Sequence, residues 1–82
     1  MSNAVVVVTH ESAMTIAFCL KKLRRVIGLR CIVEVDNASS DSTCDIIEKF
    51  LMADHRISLV RNNDNLGFAA ACNQGASALS QP

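Results

Sequence analysis

The sequence predicts an α/β domain, a parallel sheet of about three strands alternating with three helices, on three observations. Apolar runs rich in β-branched residues recur at positions 4–8, 31–35 and 57–60. Apolar residues at helical spacing fill the stretches between and after them. Each run ends in a cluster of polar residues and turn formers: Thr9-His10-Glu11-Ser12, residues 36–41 and residues 62–67. β-α units of this length join through right-handed crossovers, which gives a parallel sheet with helices on its faces.

The elements follow in order. The run at 4–8 has no polar alternation, which predicts a strand buried on both faces. Ser12 is the expected N-cap of the first helix. Its apolar stripe is Ile16, Leu20, Leu23 and Ile27, and Gly28 is its expected stop. Lys21, Lys22, Arg24 and Arg25 mark its polar side and last turns, where cations suit the helix dipole. No aromatic residues interleave with them, so the cluster reads as a solvated face rather than a nucleic-acid surface. The second strand spans 31–35, with Asp36 at its carboxyl end. Ser40 or Asp41 is the expected cap of a second helix with the stripe Ile46, Ile47, Phe50 and Leu51. His55 falls near the end of that helix and is expected in solvent. The third strand spans 57–60. The third helix runs from Phe68 to about Leu79, with the stripe Phe68, Cys72, Ala76 and Leu79. Asn73 and Gly75 are unusual choices for a helix interior. Gly75 is expected to permit close packing, and Asn73 to face the crevice or a neighbouring loop.

Eighty-two residues make one small domain, residues 1–82, and a chain this short buries only about 60% of its unfolded surface. Half of the residues are apolar and 20% are charged, the usual globular balance. The formal net charge is zero, so no overall field gathers nucleic acid or an anionic membrane. No apolar run approaches the ~20 residues that span a bilayer, and no basic segment precedes the run at 4–8 as in a signal peptide. Cys19, Cys31, Cys44 and Cys72 show no C-x-x-C spacing and no histidine at zinc-ligand spacing. They read as buried free thiols of a reduced compartment, with no metal centre.

In open parallel sheets ligands bind outside the carboxyl ends of the strands, and all three polar loops fall there. Thr9 and Glu11 offer a hydroxyl and a carboxylate suited to the edge of a base or to a ribose. Asp36 suits a base N–H or a ribose hydroxyl, and equally suits a turn in which it bonds the backbone of residues 37–39. Asn37, Ser39, Ser40 and Asp41 supply turn and cap chemistry. His10 reads as a packing or solvent residue. Asn65 and Gly67 precede a helix N-terminus with small residues behind it, an arrangement that receives an anion or a base edge. Neither the P-loop nor the dinucleotide-binding glycine fingerprint is present.

Three segments together carry a likeness: Val5 to Ala13 (VVVVTHESA), Val33 to Thr43 (VEVDNASSDST) and Val60 to Gly75 (VRNNDNLGFAAACNQG). They resemble the start of family 2 glycosyltransferases, most of all the rhamnosyltransferase-like members of bacterial surface polysaccharide synthesis. The likeness covers about Ala4 to Ala78. It implies a GT-A fold, a Rossmann-like three-layer sandwich, with strand order three-two-one-four. It implies a nucleoside diphosphate sugar, UDP- or dTDP-linked, as partner, with Thr9, Glu11, Asp36, Asn65, Gly67 and Asn73 lining the nucleoside site. It implies a cytoplasmic location, including the inner face of the membrane. Many members have Tyr-Asn where this chain has His10-Glu11.

The inverting transfer of that family uses a carboxylate base and a divalent cation at the departing diphosphate. The resemblance places the D-x-D-like metal site and the base beyond Pro82. No catalytic or metal-binding residue is therefore expected here, and Mg2+ or Mn2+ is expected only in a full-length member. The chain is expected to be the nucleoside-binding N-terminal part, inactive alone, with its first strand an exposed edge through which it self-associates. The alternative is a stand-alone nucleotide-binding or protein-interaction module of the same fold. A response-regulator-like domain fits less well, since it wants an acidic pair after the first strand.

Overall fold

A computed structural model describes residues 3–79. Six elements alternate along the chain: β1 (Asn3–Thr9), α1 (Ile16–Leu23), β2 (Leu29–Asn37), α2 (Thr43–Ala53), β3 (Ile57–Asn62) and α3 (Phe68–Leu79). The strands form one parallel sheet in the order β1-β2-β3. Because side chains alternate along a strand, β2 serves two cores. Leu29 and Ile32 pack with Ile16 and Leu20 of α1, Ile47 of α2 and Ile57 of β3. Val33 and Val35 pack with Ala71 of α3 and with the partly buried Val6, Val8, Val60 and Leu79. Helices therefore cover both faces, which is the expected three-layer α/β arrangement.

The three described strands take the three-two-one part of the expected order, and this limits the burial of β1. Val5, Val6, Val7 and Val8 are half-buried rather than enclosed on both faces, because β1 has a neighbour on one side only. β2, with a neighbour on each side, is buried from Ile32 through Asn37.

Two helices depart from the expected stripes. α1 begins at Ile16, one turn after Ser12. The Ser12 carbonyl, not its hydroxyl, takes the first N–H groups, from Thr15 at 3.0 Å and Ile16 at 2.9 Å. α1 ends at Leu23, where the bonds tighten to Arg25 N–H on the Lys22 carbonyl and Val26 N–H on the Leu23 carbonyl. This tighter turn rotates the following residues off the helical stripe, and Ile27 is 98% exposed. Gly28, at φ +82°, turns the chain into β2 rather than ending the helix. In α3 the buried residues are Ala71 and Gly75, while Phe68 is 73% exposed. Cys72 is half-buried and Ala76 exposed; only Leu79 of the expected stripe packs on the core. An alanine-rich helix offers little contrast in side-chain size, so its pattern does not reveal which face lies on the sheet.

Gly75 decides that face. A Cβ built there would stand 2.3 Å from a Val6 methyl, so the α3 backbone rests directly on β1. Glycine costs roughly 1 kcal/mol against alanine in a helix interior by propensity, and the close approach explains its presence. Gly75→Ala is expected to destabilise the fold by about 1–3 kcal/mol, the opposite of the propensity ranking, as read by the urea midpoint.

Candidate functional site

The rim at the carboxyl ends of the strands is built from β2 outward. Asp36 and Asn37, its last two residues, are each 2% exposed. The Asp36 carboxylate accepts from the Thr9 hydroxyl at 2.7 Å, the Ser39 hydroxyl at 2.7 Å and the Ser39 N–H at 2.9 Å. The Cys44 thiol also donates to it. Burial works to raise its pKa, but these donors outweigh burial and hold it below the usual aspartate value. Burial and the same bond to Asp36 push the Cys44 thiol up to about 11, so it stays protonated and unreactive. Of the two readings open for Asp36, the geometry displays the turn, and in addition a tie to β1 through Thr9.

The first loop is laced to the second. The Glu11 carboxylate accepts from the Ser40 N–H at 2.5 Å and the Ser40 hydroxyl at 3.0 Å, and the Glu11 N–H donates to the Ser39 hydroxyl at 2.8 Å. The Ser12 N–H donates to the Thr43 hydroxyl at 2.8 Å and the Ala13 N–H to Asp41 at 3.1 Å. Asp41 also accepts the first N–H of α2, that of Thr43, at 3.0 Å; the N-cap itself is Ser42, one residue later than expected, and its own side chain makes no capping bond. His10 Nδ1–H donates to the Asn37 carbonyl at 2.6 Å, so His10 fastens the loops. Glu11 and Ala38 both hold left-handed backbone, at φ 52° and 56°, a conformation that costs most side chains about 1–2 kcal/mol and is kept here by that lacing.

The third loop joins through amides. Asn37 Nδ2–H donates to the Gly67 carbonyl at 3.2 Å, and Asn62 Nδ2–H to Asn37 Oδ1 at 2.9 Å. Asn62 and Gln74 exchange side-chain amide bonds at 2.7 and 2.9 Å. The Gly67 N–H donates to Asn65 Oδ1 at 2.9 Å, a two-residue turn that leads into α3 with Gly67 at φ +83°. The space beside the Gly67 Cα is open, with no heavy atom within 4 Å of where a Cβ would sit.

Thr9, Glu11, Asp36, Asn65 and Gly67 are thus brought to one rim. Thr9 and Asp36 are buried under it, and Glu11, Asn65 and Gly67 stand exposed on it. Asn73 is exposed on the helix face opposite Ala71 and Gly75, and the α3 amide tied to the rim is Gln74. From the sequence Asn37 has turn chemistry alone, Asn62 only opens the third polar loop, and Gln74 has no assigned part. The available signal was that residues 37 and 62 end adjacent strands, where the parallel register pairs them.

Glu34 was also missed. It lies two residues before Asp36 on the same face of β2, is fully buried, and has no hydrogen-bond partner on either carboxylate oxygen. Burial, and then the neighbouring Asp36 charge, raise its pKa from 4.5 to about 8. Among the described residues no group of three His, Cys, Asp or Glu is arranged to hold a metal ion. Cys19, Cys31, Cys44 and Cys72 are free thiols, and only Cys44 is fully buried.

The fold and the rim define a Rossmann-like α/β domain with a polar rim at the strand ends. The model of glycosyl transferase family 2 matches residues 4–82, nearly the whole chain, and the chain belongs to that family. No curated protein matches the sequence.

The ionisable groups set a pH profile. Glu34 binds its proton more tightly folded than unfolded, so stability is full below about 4.5 and falls as pH rises toward about 8. Asp54, lowered to about 2 by its bonds from Arg56, acts oppositely; its contribution is present above 3.8 and lost as pH falls toward 2. Stability is therefore expected to peak in the mildly acidic range. Glu34→Gln is expected to flatten the neutral limb of a urea-midpoint profile. Glu34→Met is expected to raise stability at neutral pH by about 1–3 kcal/mol, the cost of an unpartnered buried polar group.

Proposed function

We propose that the chain holds the nucleoside half of a sugar nucleotide against the strand-end rim. Family 2 membership carries the donor class. The observation that carries the site is the convergence of three loops around Asp36 and Asn37 at the carboxyl edge of a parallel sheet. In this reading Thr9 and Asp36 are positioning residues that fix the floor. Glu11, Asn65 and the open backbone at Gly67 supply the contacts. Asn73, exposed away from the sheet, has no assigned part. UDP and dTDP are the proposed carriers and a rhamnosyl-type donor the proposed sugar, with polysaccharide synthesis in the cytoplasm the proposed setting. No helix among the described residues is long and apolar enough to cross a membrane. With no fitting set of metal ligands among those residues, we propose that the 82-residue chain binds donor without turning it over, alone or as an interaction module.

A thermal-shift titration with UDP and dTDP tests the reading. At least one is expected to raise the Tm, and a flat response to both removes the site. Asp36→Ala is expected to abolish the shift and to cost about 1.5–3 kcal/mol of stability by orphaning its donors, with folding followed by circular dichroism. Asn65→Ala, an exposed change, is expected to weaken the shift without altering the unliganded Tm. Lys22→Ala is expected to change neither.

We also propose self-association through β1. Among the described residues its outer backbone edge has no strand partner in the order β1-β2-β3, and unpaired apolar edges recruit other strands. Light scattering at high concentration is expected to give at least twice the 8.9 kDa chain mass. A clean monomer across the concentration range rejects the edge pairing and leaves the nucleoside site untouched.

A further inference from the structure

The neutral charge of this chain is a cancellation between two poles. Of its eight lysines and arginines, Lys21, Lys22, Arg24, Arg25, Arg30 and Arg56 sit where the strands begin and α1 and α2 end. Asp54 is the carboxylate set among them, whereas Glu11, Asp36, Asp41 and Asp64 lie along the opposite rim. The absence of a net field, read from composition, thus hides a strongly cationic end.

That end contains a built cleft of about 380 Å³ lined by Lys21, Arg24, Arg25, Asp54 and Arg56. Arg56 is part of its lining. It is fixed by bonds to Asp54 at 2.8 and 3.0 Å and to the carbonyls of Leu29 at 2.9 Å and Arg24 at 3.1 Å. Arg24 adds a 3.3 Å ion pair to the same Asp54. Asp54 offsets one charge in a lining that carries four cations. Among the described residues no carboxylate pairs with Lys21, Lys22, Arg25 or Arg30. A cleft with this surplus suits a phosphate group.

The lip, meaning the residues next in sequence to the lining, is apolar and exposed. The segment from Arg24 to Leu29 wraps Arg56, and the residues it lifts outward are Val26, 49% exposed, and Ile27, 98% exposed. Met52, in the last turn of α2 beside Asp54, is exposed as well. Aliphatic side chains projecting beside unpaired cations form the pattern of a surface that enters a headgroup layer. A nucleic-acid surface would present several open aromatic stacking platforms instead, whereas the cleft lining has none and the exposed ring in the basic cluster, Phe18, carries the Lys22 ammonium 4.9 Å above it.

We propose that this pole docks on an anionic bilayer surface. A lipid headgroup phosphate enters the cleft between Lys21, Arg24 and Arg25, and Val26 and Ile27 enter the interfacial layer. Docked this way, the molecule turns its strand-end rim toward the aqueous side. The inference stands on the cleft and its lip and does not depend on the nucleoside reading.

Sedimentation of the 82-residue chain with vesicles tests it. Binding is expected to phosphatidylcholine vesicles containing phosphatidylglycerol, not to phosphatidylcholine alone, and to weaken as salt rises. The double change Lys21→Glu and Arg25→Glu is expected to lower partitioning by at least about tenfold. Ile27→Asp, an exposed change that leaves the circular dichroism spectrum intact, is expected to lower it too. Equal binding to both vesicle types overturns the proposal, as does anionic binding that these variants leave unchanged. Saturable shifts at the cleft with inorganic phosphate and no vesicle binding identify a free-anion site and also overturn it. Binding to duplex DNA or to an acidic peptide with no vesicle binding does the same. The UDP and dTDP titration is expected to be identical for the charge-reversed variant, so the two readings fail separately.

Discussion

Two consecutive side chains at the end of the central strand hold this molecule's working edge together. Asp36 and Asn37 point to opposite faces of β2, and each gathers a different neighbour. The Asp36 carboxylate draws in Thr9 from β1, Ser39 from its own loop and Cys44 from α2. The Asn37 amide draws in Gly67 ahead of α3 and Asn62 from β3. A carboxylate taken out of water needs several donors to remain charged, and an amide needs both donor and acceptor partners. Meeting those needs forces three loops, distant in sequence, onto one rim.

The remainder of the α1–α2 face shows what happens when such a demand goes unmet. Glu34 stands one pleat behind Asp36 with the same burial and none of its donors. The protein keeps it by holding its proton, so that Asp36 and Glu34 are neighbouring acids with opposite preferences for charge. Pairs of titratable groups pushed apart in this way concentrate at functional sites. Here the pair lies behind the rim that we propose holds the nucleoside.

The two poles of the domain divide its surface chemistry. The carboxyl edge of the sheet carries acids and amides that are largely bonded to one another. The amino edge carries cations that, apart from Arg24 and Arg56, make no ion pair among the described residues. Parallel strands make such a division possible, because every loop at one edge follows a strand and every loop at the other precedes one. A site for a small polar ligand and a surface for a large anionic one can then occupy opposite ends of a single 82-residue unit.

The alternation of apolar runs with helical spacing was enough to fix the class, the order of the elements and the edge at which polar loops collect. Turn residues such as Asp41 and Gly67 were legible because their chemistry acts over two or three neighbouring positions. Three things required the tertiary structure. The face of α3 was set by the contact of Gly75 with Val6 across the sheet, which an alanine-rich pattern does not encode. The exposure of Ile27 followed from a tightened last turn in α1, where the chain leaves the helix to reach β2. The amide network of Asn37, Asn62 and Gln74, the isolation of Glu34 and the basic cleft around Arg56 all join residues from separate elements. Local pattern specifies what each segment becomes, whereas partners of buried polar groups and clustering of charges exist only once the segments are packed.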